Sequence, residues 1–191
     1  GNISVRSEKG TGKTIRAVMT YIAPPKTQAN VKIYLYSGSS RSSCDKLENS
    51  SLDFVISGGQ SKYIEATAKT AYFKAGAKVN GNTFDNASGT KLFNKSGVIY
   101  PTYTNSDCGV TVPEPSLNWN KTTSISWTSS DRTKYLKWFE QTYLNGKTQN
   151  WDNWQVHHMR PRAYGGQNNY SNLIPMPETK HREFTSWFAG Y

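Results

Sequence analysis

All three histidines of the chain lie within its last 35 residues, at positions 157, 158 and 181. Neutral imidazole is a common ligand of divalent metal ions, and histidine also acts as a base near neutral pH. Trp154 to His158 is predicted to form a short strand, in which adjacent side chains point to opposite sides. We therefore expect one of His157 and His158 to face a site shared with His181, and the other to point elsewhere in the same cleft.

Further residues are spaced around these histidines in a recognisable pattern. Pro161 and the pair Gly165–Gly166 come first, and Asn172–Leu173 begins nine positions before His181. This pattern resembles the HNH motif of the ββα-metal endonuclease superfamily and is similar to that of secreted, colicin-like toxin nucleases. The match is confined to about residues 154–188, less than a fifth of the chain.

The resemblance implies a role for each matched position. His158 would be the general base that takes a proton from the attacking water. His157 and His181 would hold one divalent metal ion against the scissile phosphate. Asn172 would pin the intervening loop through hydrogen bonds to the backbone and so orient His158.

Two arginines and three departures from the family pattern complete this interpretation. Arg160 and Arg162 would contact nucleic-acid phosphates, and Arg162 is the better candidate for gripping the scissile one. Pro177 and Lys180 stand where many family members carry zinc-binding cysteines, so no structural zinc is expected. Thr185 stands where colicin-type nucleases have a third histidine. Two protein ligands favour Mg²⁺ or Mn²⁺, while Zn²⁺ and Ni²⁺ stay open because imidazole also binds them.

The charge balance favours a polyanionic partner. The chain has 191 residues, with 23 Lys and Arg against 13 Asp and Glu and a formal net charge of +10. Such an excess favours binding to a phosphate backbone, independent of base sequence. We therefore predict an endonuclease that cuts DNA with little sequence specificity, with RNA as the alternative substrate. Toxin nucleases of this kind usually meet an acidic inhibitor or immunity protein.

The predicted secondary structure differs between the first and the last part of the chain. The first part is β-rich: Val31–Tyr36 alternates like a half-buried strand, and Asn80–Gly81 predicts a hairpin turn. Later, Asp131–Asn145 carries aromatic residues at helical spacing, with Ser129 or Ser130 as the candidate N-cap, and a last helix is expected to begin near Pro177.

Together with the resemblance, these patterns predict an α+β fold. The expected organisation is a β-rich region of unknown role over residues 1–125, followed by an HNH ββα-metal nuclease unit with a flanking helix over residues 126–191. The aromatic content of 13% excludes a disordered chain. No window is apolar enough for a membrane span.

One further segment looks like a nucleotide-binding motif. Gly10–Thr14 has the Gly-Lys-Thr ending of a phosphate-binding loop, but Ser7 stands where the pattern needs its first glycine. The residues that follow favour a strand, whereas a phosphate-binding loop leads into a helix. The segment is therefore interpreted as a basic turn.

The two cysteines are relevant to whether the protein works in an oxidising or a reducing compartment. Cys44 and Cys108 could form one disulfide, which would fit an oxidising compartment, or they could be two unrelated buried thiols. Abundant Ser, Thr, Asn, Gly and Tyr with few charges resembles exported proteins. We therefore expect a secreted, toxin-like protein, and the alternative setting is an intracellular phage or mobile-element endonuclease.

A second class of function stays open. The protein could be a non-catalytic module that binds a glycan, a receptor or nucleic acid, with a vestigial HNH unit at its C-terminal end. Cleavage assays separate this alternative from the nuclease.

Overall fold

The computed structural model describes residues 2–85 and 89–191, and it is mostly β-sheet. Strands make up 40% of the chain and helices 18%, with two helices in the described part. The predicted α+β fold class with an HNH ββα-metal unit is therefore wrong. The β-rich character predicted for the N-terminal region holds, and its long antiparallel strands outweigh the two short C-terminal helices. The strand pair and helix near the C-terminus form only a small local element, which does not show a ββα-metal fold.

The chain divides into two compact units. The first contains the chain up to Tyr100 together with Trp187–Tyr191, and the second contains Pro101–Ser186. In the described part, no helix is both long and apolar enough to cross a membrane.

The first unit consists of two antiparallel sheets. A three-stranded sheet has the order β1-β2-β6, with β1 at Asn2–Lys9, β2 at Thr14–Ile22 and β6 at Ser61–Thr67. In the six-stranded sheet β3 (Gln28–Gly38) and β7 (Ala71–Val79) pair centrally; around them lie β4 (Lys46–Ser50), β5 (Phe54–Ser57), β8 (Asn82–Asp85) and β9 (Lys91–Phe93).

Alternation along the strands builds the core of this unit. Ile33 and Leu35 of β3 are buried together with Phe73 of β7 and with Ile15 and Met19 of β2. Because successive side chains of a strand point to opposite faces, the residues between them face outward.

The predicted hairpin at Asn80–Gly81 is confirmed. These two residues have φ angles of 48° and 86° and join β7 to β8. Positive φ at both central positions is what a two-residue hairpin loop of matching twist requires, and Asn followed by Gly adopts it most readily.

The Gly10–Thr14 segment forms the turn between β1 and β2. The Glu65 carboxylate accepts hydrogen bonds from the Thr14 hydroxyl at 2.9 Å and from Arg16 at 2.7 and 3.0 Å. The Thr11 backbone N–H also donates to it at 3.2 Å. A strand follows this turn and an acidic group braces it, so the segment is not a phosphate-binding loop.

The second unit contains two short hairpins and the helices. The hairpins are β10 (Thr104–Asn105) with β11 (Val110–Thr111) and β12 (Trp154–His158) with β13 (Leu173–Pro177). The helices are α1 at Ser129–Tyr143 and α2 at Glu178–Ala189, whose last residues belong to the first unit.

The N-cap of α1 is Thr128, one residue before the predicted pair. Its hydroxyl accepts a hydrogen bond from the Asp131 N–H at 3.1 Å, while the Asp131 carboxylate accepts from the Thr128 N–H at 2.9 Å. This reciprocal capping box satisfies two backbone donors that the first turn leaves free.

The disulfide between Cys44 and Cys108, one of the two alternatives that the sequence left open, is not formed. Both cysteines are free, and they belong to different units. The buried Cys44 thiol lies 3.5 Å from the Tyr72 carbonyl oxygen, and Cys108 Sγ lies 3.9 Å from the Asn105 carbonyl oxygen. Each thiol therefore contacts backbone of its own unit. Burial raises the pKa of Cys44, which keeps this thiol protonated.

Candidate active site

The β12–β13 hairpin positions two of the three histidines. In its antiparallel register His157 pairs with Ile174 and His158 with Leu173. Helix α2 begins directly after β13, and it carries His181 on its first turns. The hairpin and the helix thus supply the three imidazoles from elements that are adjacent in the chain.

His157 points toward helix α2. Its ring centroid lies 5.4 Å from that of His181 and 4.9 Å from that of Phe184, and only 4% of the residue is exposed. Its Nε2 atom is buried and has no hydrogen-bond partner among the described residues. A buried polar atom without a partner is unfavourable by about 1–3 kcal/mol, so a metal ion or an ordered water is expected to contact it.

The environment keeps this imidazole neutral. Burial, followed by the neighbouring His181 and His158, lowers the pKa of His157 to about 3. Burial and His158 also lower the pKa of His181, although Glu178 opposes this shift. Neutral imidazoles present the lone pairs that a metal ion needs.

The pair fits one divalent ion held by two protein ligands. The observation that supports the fit is the orphaned Nε2 of His157 beside the half-buried imidazole of His181. No group of three or more His, Cys, Asp or Glu suited to a metal occurs within residues 2–85 and 89–191. The Thr185 hydroxyl donates to the His181 carbonyl oxygen at 3.1 Å.

His158 has a different set of direct contacts from His157. Its ring is nearly perpendicular to that of Trp127 with centroids 4.9 Å apart, and its Nε2 lies 2.9 Å from Asn168 Oδ1. The Asn168 amide is oriented because its Nδ2 donates to the Ser126 carbonyl oxygen at 2.9 Å. Asn168 therefore presents an acceptor, so His158 carries its proton on Nε2 and keeps the lone pair on Nδ1.

The pKa of His158 is lowered overall. Burial is the largest cause, Asn168 opposes it by accepting the hydrogen bond, and the charge of Arg162 adds to the lowering. His158 is therefore neutral near pH 7 and able to accept a proton.

Sequence reasoning missed Asn168. It lies in a polar loop between Gly166 and Asn172, and no spacing rule distinguishes it from its asparagine neighbour. Only the fold reveals its role, because the carbonyl that orients its amide comes from Ser126, 42 residues earlier.

The Asn172 side chain stabilises the loop between β12 and β13 through hydrogen bonds to the loop backbone. Its Oδ1 accepts from the Arg160 N–H at 2.8 Å, and its Nδ2 donates to the carbonyl oxygens of Arg160 at 3.1 Å and Gln167 at 2.9 Å. The Met159 N–H donates to the Asn172 carbonyl oxygen at 2.8 Å. The amide thus uses donor and acceptor on backbone, as expected for a residue that holds the loop after His158.

The glycine pair in this loop is required by the backbone. Gly165 has a φ of 89°, which side chains other than hydrogen rarely tolerate. A Cβ on Gly166 would collide with the Arg160 carbonyl oxygen. The turn therefore packs too closely for any larger residue.

The two arginines differ in their placement. The Arg160 guanidinium lies 5.2 Å from the centre of the Trp119 ring, and its Nε donates to the Tyr164 carbonyl oxygen at 2.8 Å. Arg162 donates to the Ile125 carbonyl oxygen at 2.8 Å and lies near enough to His158 to lower its pKa. Arg160 therefore braces the loop, whereas Arg162 places positive charge beside the candidate base.

A polar groove opens beside His181. It has a volume of about 450 Å³ and is lined by Gln155, Glu178, His181, Arg182, Thr185 and Ser186. The residues that line it carry amide, hydroxyl, imidazole and charged groups. Arg182 forms an ion pair with Glu178 of the same helix, with 3.2 Å between the guanidinium nitrogen and the carboxylate oxygen.

No protein-family model matches the chain, and neither a curated protein nor a solved structure is significantly similar to it.

Proposed function

We propose that the protein is a metal-dependent endonuclease that hydrolyses phosphodiester bonds of DNA with little sequence specificity. The observation that carries the proposal is the buried Nε2 of His157, which has no hydrogen-bond partner within residues 2–85 and 89–191, beside the imidazole of His181. His158, the next residue of the same strand, is held on Asn168 through Nε2 and lies near enough to His157 and His181 to lower the pKa of both. A metal-binding pair next to a positioned base is an arrangement suited to hydrolysis.

Each residue of the site would have a separate role in this reaction. His157 and His181 would hold one divalent ion, with Mg²⁺ or Mn²⁺ as the expected metal. Such an ion supplies positive charge that stabilises the developing charge on phosphate oxygens. His158 accepts a proton from the attacking water at Nδ1, because Nε2 is occupied by its bond to Asn168. The Arg162 guanidinium offers its remaining N–H donors to the scissile phosphate.

The charge of the chain supports a substrate that is recognised by its backbone. A net charge of +10 favours phosphate contacts, which carry no base information. We expect affinity to fall steeply with salt and cleavage to occur at many sequences.

The biological setting belongs to the same proposal. A basic nuclease of this kind would be blocked by an acidic inhibitor protein that covers the cleft. We propose secretion on composition alone, since the two cysteines are free and give it no support.

Incubation of supercoiled plasmid with Mg²⁺, Mn²⁺ or EDTA tests the proposal. We expect nicking with metal, none in EDTA and none with His158→Ala. Lys147→Ala, an exposed change in the same unit, is the matched control and should cleave normally. Intact plasmid under every metal would direct the assay to RNA. Intact RNA as well would overturn the nuclease and favour the non-catalytic binding module.

A further inference from the structure

The outer face of the six-stranded sheet carries tyrosines and lysines in register. On β3 the outward residues are Lys32, Tyr34 and Tyr36, and on β7 they include Lys74 and Lys78. Lys32 pairs with Lys78 across the strands, and Tyr36 pairs with Lys74. We call these five residues the tyrosine–lysine face.

The two rings of this face form a nearly parallel pair. Their centroids are 6.0 Å apart and their planes differ by 15°. Gly76 is the cross-strand partner of Tyr34, and a Cβ there would lie 3.2 Å from the Tyr36 ring atom Cε2. The missing side chain at Gly76 therefore lets an aromatic ring lean across the neighbouring strand. Both tyrosines are partly exposed.

Positive charge flanks the rings. Lys32 Nζ lies 5.6 Å from the centre of the Tyr34 ring, and Lys74 Nζ lies 5.4 Å from that of Tyr36. Neither β3 nor β7 contains an acidic residue. Asp85 of β8, which pairs with Gly76, is the carboxylate beside them. The face thus has three lysines, with the Asp85 carboxylate beside them.

Alternating rings and cations suit a polyanion that also has planar groups. A neutral glycan could pack on the tyrosines but would leave three lysines without partners. A folded acidic protein would match the lysines but offers no regular series of planar rings. Single-stranded nucleic acid has both, since its bases stack on aromatic side chains and its phosphates contact cations.

We propose that the tyrosine–lysine face binds single-stranded nucleic acid, with Tyr34 and Tyr36 as stacking positions and the lysines on phosphates. This gives the N-terminal unit a binding function separate from the histidine site. It rests on the proposed function only in that nucleic acid is the expected polyanion.

Fluorescence anisotropy with a labelled oligothymidylate, in EDTA so that nothing is cut, tests this site. Base stacking is strong enough that Tyr34→Leu with Tyr36→Leu should raise Kd at least about tenfold. The matched control is Tyr63→Leu on the three-stranded sheet, where the ring lies 3.8 Å from the Arg16 guanidinium. This variant should bind like wild type, and thermal unfolding should show that all variants are folded.

The salt dependence of binding tests the contribution of the three lysines. Changing Lys32, Lys74 and Lys78 to Gln should lower the slope of log Kd against log salt by roughly 0.7 for each phosphate that a lysine neutralises in the wild-type complex. Unchanged affinity in the double tyrosine variant would overturn the proposal. Tyrosine-dependent binding of a heparin fragment, with none of the oligonucleotide, would overturn it in favour of an acidic polysaccharide.

The result is separable from that of the nuclease. Loss of oligothymidylate binding in the double tyrosine variant would support this site whether or not the wild-type protein cleaves plasmid. If plasmid is cut but the oligonucleotide binds equally to wild type and the double tyrosine variant, only this inference fails.

Discussion

The rings of His157 and His181 stand at 77° to one another with centroids 5.4 Å apart, and His157 Nε2 has no hydrogen-bond partner among the described residues. Folding buries this polar atom. An apolar side chain at position 157 could pack against Phe184 without leaving a polar atom unpaired. A buried polar atom that is unfavourable for stability is expected to serve function.

Replacing His157 by Leu should therefore separate stability from activity. Removing a partnerless polar atom in favour of an apolar side chain is expected to leave the free energy of unfolding within about 1 kcal/mol of wild type, or above it. Plasmid nicking should be lost. Urea unfolding and the nicking assay measure the two effects. A drop of several kcal/mol, with activity following the folded fraction, would show a structural role only.

Divalent metal should stabilise the wild-type protein and not its histidine variants. A ligand at 100 times its Kd stabilises the folded state by about 2.7 kcal/mol, so Mn²⁺ should raise the thermal midpoint. His157→Leu and His181→Ala should show no such rise, and Lys147→Ala should respond like wild type. Equal responses in all four proteins would exclude the imidazole pair as the metal site. Calorimetric titration with Mn²⁺ gives the stoichiometry, expected to be one.

Asn168 should act as a positioning residue for His158. In the metal-free protein, ¹⁵N chemical shifts of the His158 ring should report a proton on Nε2. Asn168→Ala removes the acceptor, so the ring should show mixed tautomers and kcat should fall roughly tenfold to a hundredfold. Asn168→Asp keeps an acceptor oxygen and should restore the tautomer. An unchanged tautomer in Asn168→Ala would contradict this role.

Asn172 should contribute to stability through its three backbone hydrogen bonds. Asn172→Ala leaves the Arg160 N–H and two carbonyl oxygens without these partners, and we expect the free energy of unfolding to fall by about 1–3 kcal/mol. Cleavage should fall as well, because the loop holds His158. The exposed Asn120→Ala is the control, and its unfolding curve should match that of wild type. Equal curves for both variants would argue against the pinning role.

Acid should weaken the N-terminal unit through Glu65. Hydrogen bonds from Arg16, with those from Thr11 and Thr14, lower the pKa of Glu65 to about 2 from its ordinary 4.5. The stability that this carboxylate contributes is therefore present above about pH 4.5 and is lost as the pH falls toward 2. Urea midpoints for wild type and Glu65→Gln should converge over that interval. Asp53→Asn, at an exposed position, should keep the wild-type acid dependence; a constant difference between wild type and Glu65→Gln down to pH 2 would contradict the assignment.

The fold shows where sequence reasoning succeeded and where it failed. The alternation in Val31–Tyr36 and the turn at Asn80–Gly81 depend on neighbours in the chain, and both appear as predicted. The α+β fold class failed because the N-terminal segments form many paired strands, which outweigh two helices. A disulfide between Cys44 and Cys108 was open to the sequence, but each thiol contacts backbone of its own unit.

For the candidate site, the sequence by itself determined the local part. Two adjacent histidines on a strand must diverge, and a loop with a Gly-Gly turn and an asparagine can fold back on its own backbone. Tertiary structure decided the rest: that His157 is buried against α2 with a free nitrogen, and that Ser126 orients Asn168 toward His158. The side of a strand to which a side chain points is a local property. Burial and hydrogen-bond partners come from residues distant in the chain, so only the folded protein determines them.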